Sequence, residues 1–344
     1  MGQGLAGSVL ADLLIKNGQK VYIIDTGIES SSKVAAGLFN PVTGKRYVKT
    51  WLADSIFPFL NNYYQNLEKQ LDSSFFYPQK MFKPFMDIEQ QTFLTALTAD
   101  LPDYLSVAPN PQPYHQIIEH RFGGVFTNFG GWLDVKTMIK LFRNWFKNDG
   151  VLEENNFEFK DIRFTNNIVF YQDKPYQKIL FCEGSAGSKN PYFDWLPFKS
   201  VRGELLTIKL QNQQSLTDII NHGIFIIPLG NHLYKVGATY DWDNLSWQTT
   251  QAGKEQLVQK LKLILKTDFE IIAHEVGVRP SATDRRPLIG LHPDHKQLGF
   301  FNGFGSKGVS LIPYFAAHFV DFLINNKELE PSVNIKRHFS LYCH

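Results

Sequence analysis

Apolar residues near the start of the chain recur with the period of a helix. Val9, Leu10, Leu13 and Leu14 share one face, which predicts an amphipathic helix with one buried stripe. Gly2, Gly4 and Gly7 precede or open it, and Gly18 follows as a C-terminal stop. "KVYIID" then reads as a buried strand ending at Asp25. "TGIESSSKVAAGLFNPVTGKRY" is rich in small residues, Gly and Pro, and reads as loop. From Trp51 to about Asp103 the pattern is mostly helical, with aromatic clusters "FPFLNNYY" and "FFYPQKMFKPF". "GGWLDVKTMIKLFRNWFKNDG" predicts a turn and a helix with Asp134 as N-cap and Leu133, Met138, Leu141, Phe142 and Phe146 available for burial. "KILFCEGSAG" reads as a buried strand running into a small-residue turn. "RGELLTIKL", "GIFIIPLG" and "HLYKVGATY" read as strands, followed by a helix carrying Leu257, Leu261 and Leu265. The remainder runs strand, loop, strand, Gly-rich turn, long helix.

This order predicts an α/β fold. A Rossmann-like nucleotide-binding domain, over 1–47, 128–195 and 276–344, is interleaved with an α+β substrate domain on an antiparallel sheet, over 48–127 and 196–275. No Pro/Ser linker separates the two. A doubly wound sheet places its first strand centrally, ahead of the glycines, yet only Met1 precedes Gly2. The expectation is a gap between two strand edges, filled by apolar residues upstream of the stated start, by another segment or by a neighbouring chain. Cofactor affinity is expected to suffer.

Composition adds limits. A chain of 344 residues exceeds one ordinary core, and 43% hydrophobic with 20% charged residues is a soluble globular balance. Net charge +2 predicts no strong polyanion-binding field, leaving room only for a local basic patch. Cys182 and Cys343 form no disulfide framework and suit a reducing, cytoplasmic setting. No signal peptide and no apolar run of the roughly 18 residues a membrane span needs is read, so no membrane partner is expected. The histidines lack ligand spacing, "LHPDH" (His292, His295) reads as a turn, and no metal is expected. No serine nucleophile elbow or kinase signature is present, and "NPVTGKRY" lacks the spacing of a P-loop.

The glycines carry the first chemistry. Gly2 permits a tight turn, Gly4 lets the backbone approach a pyrophosphate, and Gly7 lets helix and strand pack closely. The helix N-terminus then offers free N–H groups and partial positive charge to phosphates. Asp25 stands where a carboxylate binds a ribose hydroxyl. This fingerprint alone leaves FAD and NAD both open.

Five blocks in order resemble the FAD-dependent amino-acid and amine oxidases, the family of D-amino-acid oxidase, glycine oxidase and sarcosine oxidase. They are "GQGLAG…IID", "AAGLFNPVTGKRY", "GGWLDVKTM", "FCEGSAG" with "VRGELL", and "VRPSATDRRPLIG" with "NGFGSKGVSLIP". The resemblance implies non-covalent FAD, held by Gly2, Gly4, Gly7 and Asp25 at the pyrophosphate and ribose, and by Ala35, Ala36 and Gly37 beside the pyrophosphate and flavin. Gly184 and Ala186 would contact the nucleotide from mid-chain. Gly303, Gly305, Ser306, Lys307 and Gly308 would form the last turn, with the following helix aimed at flavin N1 and O2.

It also implies that Arg279 grips a substrate carboxylate; the alternative is a structural salt bridge to Asp284 or Glu275. Lys307 neutralises flavin N1 or binds a carboxylate, or else is a solvated lysine. Its turn is similar to that in the FAD domain of the bifunctional bacterial enzyme that modifies tRNA wobble uridines. Phe225 stands where some members place a tyrosine over the flavin. Tyr240 and Trp242 line the cavity or, more simply, pack in the interior. Arg202 is expected to brace the domain junction with Glu204.

The implied activity is oxidation of the C–N bond of an amino acid or secondary amine by hydride transfer to flavin N5, the imine then hydrolysing, with O2 or another acceptor reoxidising the flavin. Two alternatives remain at this stage. One is removal of a carboxymethyl group from a modified tRNA uridine, which net charge does not support. The other is a cofactor-free, inactive truncated form.

Overall fold

Two sheet systems of different character divide the chain in a computed structural model. The structure describes all residues except 29, 45, 109–115, 212–214 and 343–344, so Cys343 and Lys45 of the "KRY" run lie outside the described residues. The helices are α1 (Leu5–Lys16), α2 (Ser31–Val34), α3 (Ala53–Leu71), α4 (Ile88–Asp100), α5 (Val135–Asn148), α6 (Gln251–Ile264) and α7 (Gly308–Asn325).

The nucleotide-binding layer is built from two separate parallel pairs. Ile23–Ile24 pairs with Leu152–Glu153, and Ile179–Phe181 pairs with Leu298–Asn302, which also takes Leu288–Leu291 antiparallel. Around it α1, α3, α5 and α7 form the largest apolar cluster, with Val9, Leu60, Phe142 and Phe315 fully or almost fully withdrawn from water. The periodicity of α5 acts as expected. Asp134 caps it by accepting the Thr137 N–H at 3.0 Å, and Met138, Phe142 and Phe146 are buried, while Leu141 is only partly so.

The second system is an eight-stranded sheet ordered Phe269–Arg279, Val201–Leu210, Leu233–Gly237, Phe225–Gly230, Ile219–Asn221, Met81–Pro84, Gly124–Thr127, Leu105–Val107. One face packs Leu206, Ile208, Ile226 and Val236 against Leu257 and Leu261 of α6. The other faces α2 and the loop after it. There Ser31 Oγ donates to the Val278 carbonyl, and Phe225 clusters with Ala36, Leu38 and Trp132.

One expectation is refined here and three are corrected. The region from Trp51 to Asp103 is mostly helical, in α3 and α4, but the aromatic run between them holds the strands Phe76–Pro78 and Met81–Pro84, which the pattern did not show. Pro78 and Pro84 cannot continue a helix, and Phe76 and Phe82 bury against the sheets. The loop after Asp25 contains α2 and short strands at Leu38–Phe39 and Val42–Thr43, too short to show a period. The substrate-side sheet is not purely antiparallel. Ile219–Asn221 runs parallel to Met81–Pro84, since the two come from different insertions and no hairpin sets their direction. Lastly, Gly305–Asn325 is long and apolar enough by length and composition to cross a membrane, against the expectation that no run reaches that length. Half of that span is buried, and α7 packs on α1 and α3 as a core helix.

Arg202 and Glu204 form a buried ion pair at 2.8 Å, the expected partners, but the groups they hold lie within 196–275 rather than across a domain junction. Arg202 also bonds the carbonyls of Ser246 (3.0 Å) and Gln248, while Glu204 accepts from the Thr250 hydroxyl at 2.6 Å and N–H at 3.1 Å. Thr250 caps α6, so the pair ties the 240–250 loop and a helix start to one strand. Burial pushes the Glu204 carboxyl up, but the Thr250 bonds and the Arg202 charge outweigh it and hold it below its ordinary 4.5. Removing one partner of such a pair costs on the order of 3 kcal/mol. Glu204→Gln should lower the urea midpoint at pH 7 accordingly. A depressed carboxyl stabilises above its unfolded value, so the gap to wild type should close as pH falls below 4.5.

Candidate active site

The first wall of the site is the start of α1. Gly4 is its N-cap without a side-chain cap, so the first-turn N–H groups stay available apart from Leu5, which donates to Ser32 Oγ at 3.1 Å. A Cβ on Gly7 would lie 1.9 Å from the Gly2 carbonyl oxygen, so only glycine lets the loop lie this close to the helix. At Gly4, by contrast, a Cβ would meet only Ser32, at 3.2 Å from Oγ, and the space beyond is open.

Asp25 ends its strand facing this loop. Its carboxylate accepts from the N–H groups of Gln3 and Gly27 and from Arg143 Nη1, each at 2.8 Å. Burial pushes the carboxyl up, but these donors outweigh it and hold it below 3.8, so it is ionised and pre-set as an acceptor. Arg143, on α5, escaped the sequence reading. It sits among ordinary surface-pattern charges, and nothing linear marks its distance from Asp25.

The second wall comes from the far end of the chain. Gly303 (φ +80°) and Gly305 (φ +55°) take backbone conformations that favour glycine, and a single turn, Gly305–Lys307, leads into α7 at Gly308. A Cβ on Gly308 would lie 3.6 Å from Leu5 Cδ2, so the N-termini of α1 and α7 adjoin. From mid-chain, Gly184 (φ +58°) gives its carbonyl to Asn302 Nδ2 at 2.9 Å, and Ala186 is exposed beside it. Ala35 and Ala36 are partly buried, and Gly37 packs so closely that a Cβ would lie 1.8 Å from the Leu133 carbonyl oxygen. Ser306 is exposed and Lys307 half-buried rather than fully solvated. Burial lowers the Lys307 ammonium from its ordinary value, and Arg286 and Arg285 push it the same way.

The third wall is the open face of the eight-stranded sheet. Arg279 ends the edge strand there with its guanidinium 4.7 Å from the centre of the Tyr240 ring. Nη1 also reaches the Thr239 carbonyl, at a long 3.5 Å. It lies across Gly203, where a Cβ would come within 2.2 Å of Nη2. The salt-bridge alternatives are overturned: Asp284 pairs with Arg337 at 2.9 Å and Glu275 with Lys235 at 3.5 Å. Among the described residues Arg279 makes no ion pair, and burial pulls its pKa down, eased by Tyr240. Tyr240 and Trp242 are corrected as well. They are not packed inside but more than half or half exposed (57% and 50%), stacked on each other at 6.1 Å. The loop holding them is pinned by Arg202, which bonds the Ser246 and Gln248 carbonyls, and Tyr240 lies against the Arg279 guanidinium. Gly305 N–H donates to the Pro280 carbonyl at 2.8 Å, which couples the Lys307 turn to the residue after Arg279. Two further groups were missed: Lys235, beside the Val34 carbonyl, and Trp51, 4.1 Å under the Arg286 guanidinium.

The profile of the FAD dependent oxidoreductase (DAO) family matches residues 1–322. The chain belongs to the FAD-dependent oxidoreductases. FAD is therefore its cofactor, and the Cβ-free cradle at Gly4, the ionised Asp25 and the paired helix N-termini fit a dinucleotide.

Among curated members of the family, the tRNA 5-methylaminomethyl-2-thiouridine biosynthesis bifunctional protein MnmC of Campylobacter jejuni is 22% identical over 298 residues, covering 84% of this chain and 45% of that protein. The chain thus spans less than half the length of that relative. Glycine oxidase of Bacillus licheniformis is 30% identical over 132 residues, 38% of this chain and 36% of that enzyme. Solved structures share the fold. Glycine oxidase from Bacillus cereus superposes with TM-score 0.78 at 20% identity over 95% of this chain and 94% of that one. Iminodiacetate oxidase from Chelativorans gives 0.79 at 17% identity over 98% and 97%.

Two substitutions test the cradle. Gly4→Val should leave the thermal midpoint within a few degrees, since the side chain enters open space, yet abolish the flavin absorption band after FAD addition. Asp25→Asn removes an anionic acceptor and should weaken FAD binding by about tenfold or more in a fluorescence titration.

Proposed function

We propose that this chain oxidises the C–N bond of a small amine that carries a carboxylate, an amino acid or an N-substituted glycine. The single observation that carries this reading is Arg279, a half-buried guanidinium with no carboxylate of its own among the described residues. A planar fork of N–H donors is the natural partner of a carboxylate, through two parallel bonds. Tyr240 holds its plane from one side, and Gly203 leaves room for it beneath.

FAD, non-covalently bound, supplies the hydride acceptor for this chemistry. The chain's own residues orient and enclose. Arg279 fixes one end of the substrate, which sets the amine and its α-carbon at a constant distance from the wall formed by Ala36 and Phe225. Phe225 and its apolar neighbours exclude water and offer no hydroxyl, so the reacting end of the substrate meets a hydrocarbon surface. A positioned substrate needs little further help from a side-chain base, and no such base is assigned. The Arg279 charge also favours the neutral amine over the ammonium, since two positive charges would otherwise lie close together.

Arg279→Met should raise KM for carboxylate-bearing amines about 100-fold or more while FAD absorption stays intact, because a charge-assisted pair of bonds is worth roughly 3 kcal/mol. Anaerobic bleaching with glycine, sarcosine, D-amino acids and modified nucleosides identifies the substrate. An unchanged KM in the variant overturns the assignment of Arg279.

A second reading takes a carboxymethylaminomethyl group on a tRNA uridine as the substrate. The specific observation favouring it is an exposed aromatic pair. The exposed Tyr240–Trp242 stack offers a platform for a base, and Arg285, Arg286 and Lys307 gather positive charge close to one another. On this reading, tRNA should shift the protein in a binding assay at low salt and release it as salt rises. The absence of any shift at low salt rejects it.

A further inference from the structure

Lys83 stands on the same face of the eight-stranded sheet as Arg279. The pairs Leu205–Gly237, Gly237–Phe225 and Phe225–Asn221 set four residues of adjacent strands side by side. The parallel register Ile220–Phe82 then places Lys83 beside Asn221 in the same row. Residues paired across strands point to one side of a sheet. For this row that side is the cleft, because Phe82 and Ile226, one residue along, bury on the α6 face.

A cation stands at each end of the row. At one end Arg279 lies across Gly203. At the other the Lys83 ammonium is 5.1 Å from the centre of the buried Tyr47 ring. Lys83 is half-buried and pairs with no carboxylate among the described residues, and burial alone lowers its ammonium from the ordinary value. His222, in the turn after Asn221, feels the Lys83 charge and has a buried Nδ1 without a partner among the described residues. Glu275 and Lys235, on the same face, satisfy each other at 3.5 Å. Between the two cations the floor is Leu205, Gly237 and Phe225. The Phe225 ring leans over Gly237, where a Cβ would lie 2.9 Å from Cζ. An apolar strip with a cation lacking a carboxylate at either end matches a ligand with a hydrocarbon middle and two anionic ends.

We propose that Lys83 is a second anion subsite of the cleft, and that the substrate is an N-substituted glycine whose nitrogen carries a chain ending in a second anionic group, a carboxylate or a phosphate. The proposal deepens the reading of Arg279 as the grip on the first carboxylate and rests on it. Phe225 lies between the two ends, so the amine falls mid-span against the apolar wall. The strands of Gly203 and Lys83 are four spacings apart, about 19 Å. The reach of the Lys83 side chain and a contact distance at each end leave roughly 10 Å between the two anions. A linker of several methylenes covers that distance, and the shortest amino dicarboxylic acids do not.

The test is calorimetric titration of the FAD-loaded protein with linear α,ω-dicarboxylic acids from pentanedioate to dodecanedioate. Monocarboxylic and ω-phosphonocarboxylic acids of matching length are run beside them, so that burial of the methylenes cancels. Expected is an affinity maximum near nonanedioate, at least tenfold above the matching monoacid. Lys83→Met should bring the doubly anionic ligand down to the monoacid, and Lys83→Arg should keep the advantage, both with an intact flavin band. Whichever distal group binds tighter, carboxylate or phosphonate, identifies the second anion. Doubly anionic ligands no tighter than monoacids at every length, or an advantage that survives in Lys83→Met, overturn the proposal. Two further measurements keep the parent reading separate. Monoacid affinity unchanged in Arg279→Met sinks the assignment of Arg279. Anaerobic bleaching by N-alkylglycines with no preference for an ω-carboxylate leaves that assignment standing and ends this one.

Discussion

Everything in this molecule is arranged around two helix N-termini brought into one cleft. α1 and α7 come from opposite ends of the chain, yet Leu5 of one touches the start of the other at Gly308. Each helix start carries about half a positive charge and several unfilled N–H groups. Lys307 adds positive charge nearby, while Arg143 is matched by the carboxylates of Asp25 and Glu154. Adjacent positive ends repel one another, so the arrangement is favourable chiefly with an anion between them. A diphosphate with its nucleoside attached meets that condition, which is why a family defined by FAD retains this geometry.

The substrate side follows from the alternation of a β-strand. Along Val201–Leu210, successive side chains point to opposite faces. Arg202 and Glu204 fall on the α6 face, where they anchor the 240–250 loop. Gly203, between them, falls on the cleft face and leaves space for Arg279. One short stretch therefore does two jobs: it fixes the loop that presents Tyr240 and clears the floor on which the guanidinium lies. The buried ion pair on one side and the unpaired guanidinium on the other differ only in what faces them.

Sequence reading was strongest where a period repeats over several turns or where glycine is required. The stripes of α1, α5 and α6, the cap at Asp134 and the glycine turns at both ends all follow from local rules that a linear pattern displays. It failed at Phe76–Pro78 and Met81–Pro84. Dense aromatics there hid strands of three and four residues, too short for any period to emerge. Tyr240 and Trp242 were expected inside on hydrophobicity alone, but a loop held by Arg202 keeps them at the surface.

The sequence by itself pointed to the family and to FAD, because close backbone approach to a phosphate demands glycine at fixed spacings and those spacings are visible in a linear chain. Only the tertiary structure decided which charges are already satisfied. Asp284 and Glu275 find Arg337 and Lys235, Asp25 finds Arg143, and among the described residues Arg279 is left without a carboxylate. Pairing of charges depends on distances between residues tens to more than a hundred positions apart in the chain, and no one-dimensional spacing encodes those distances.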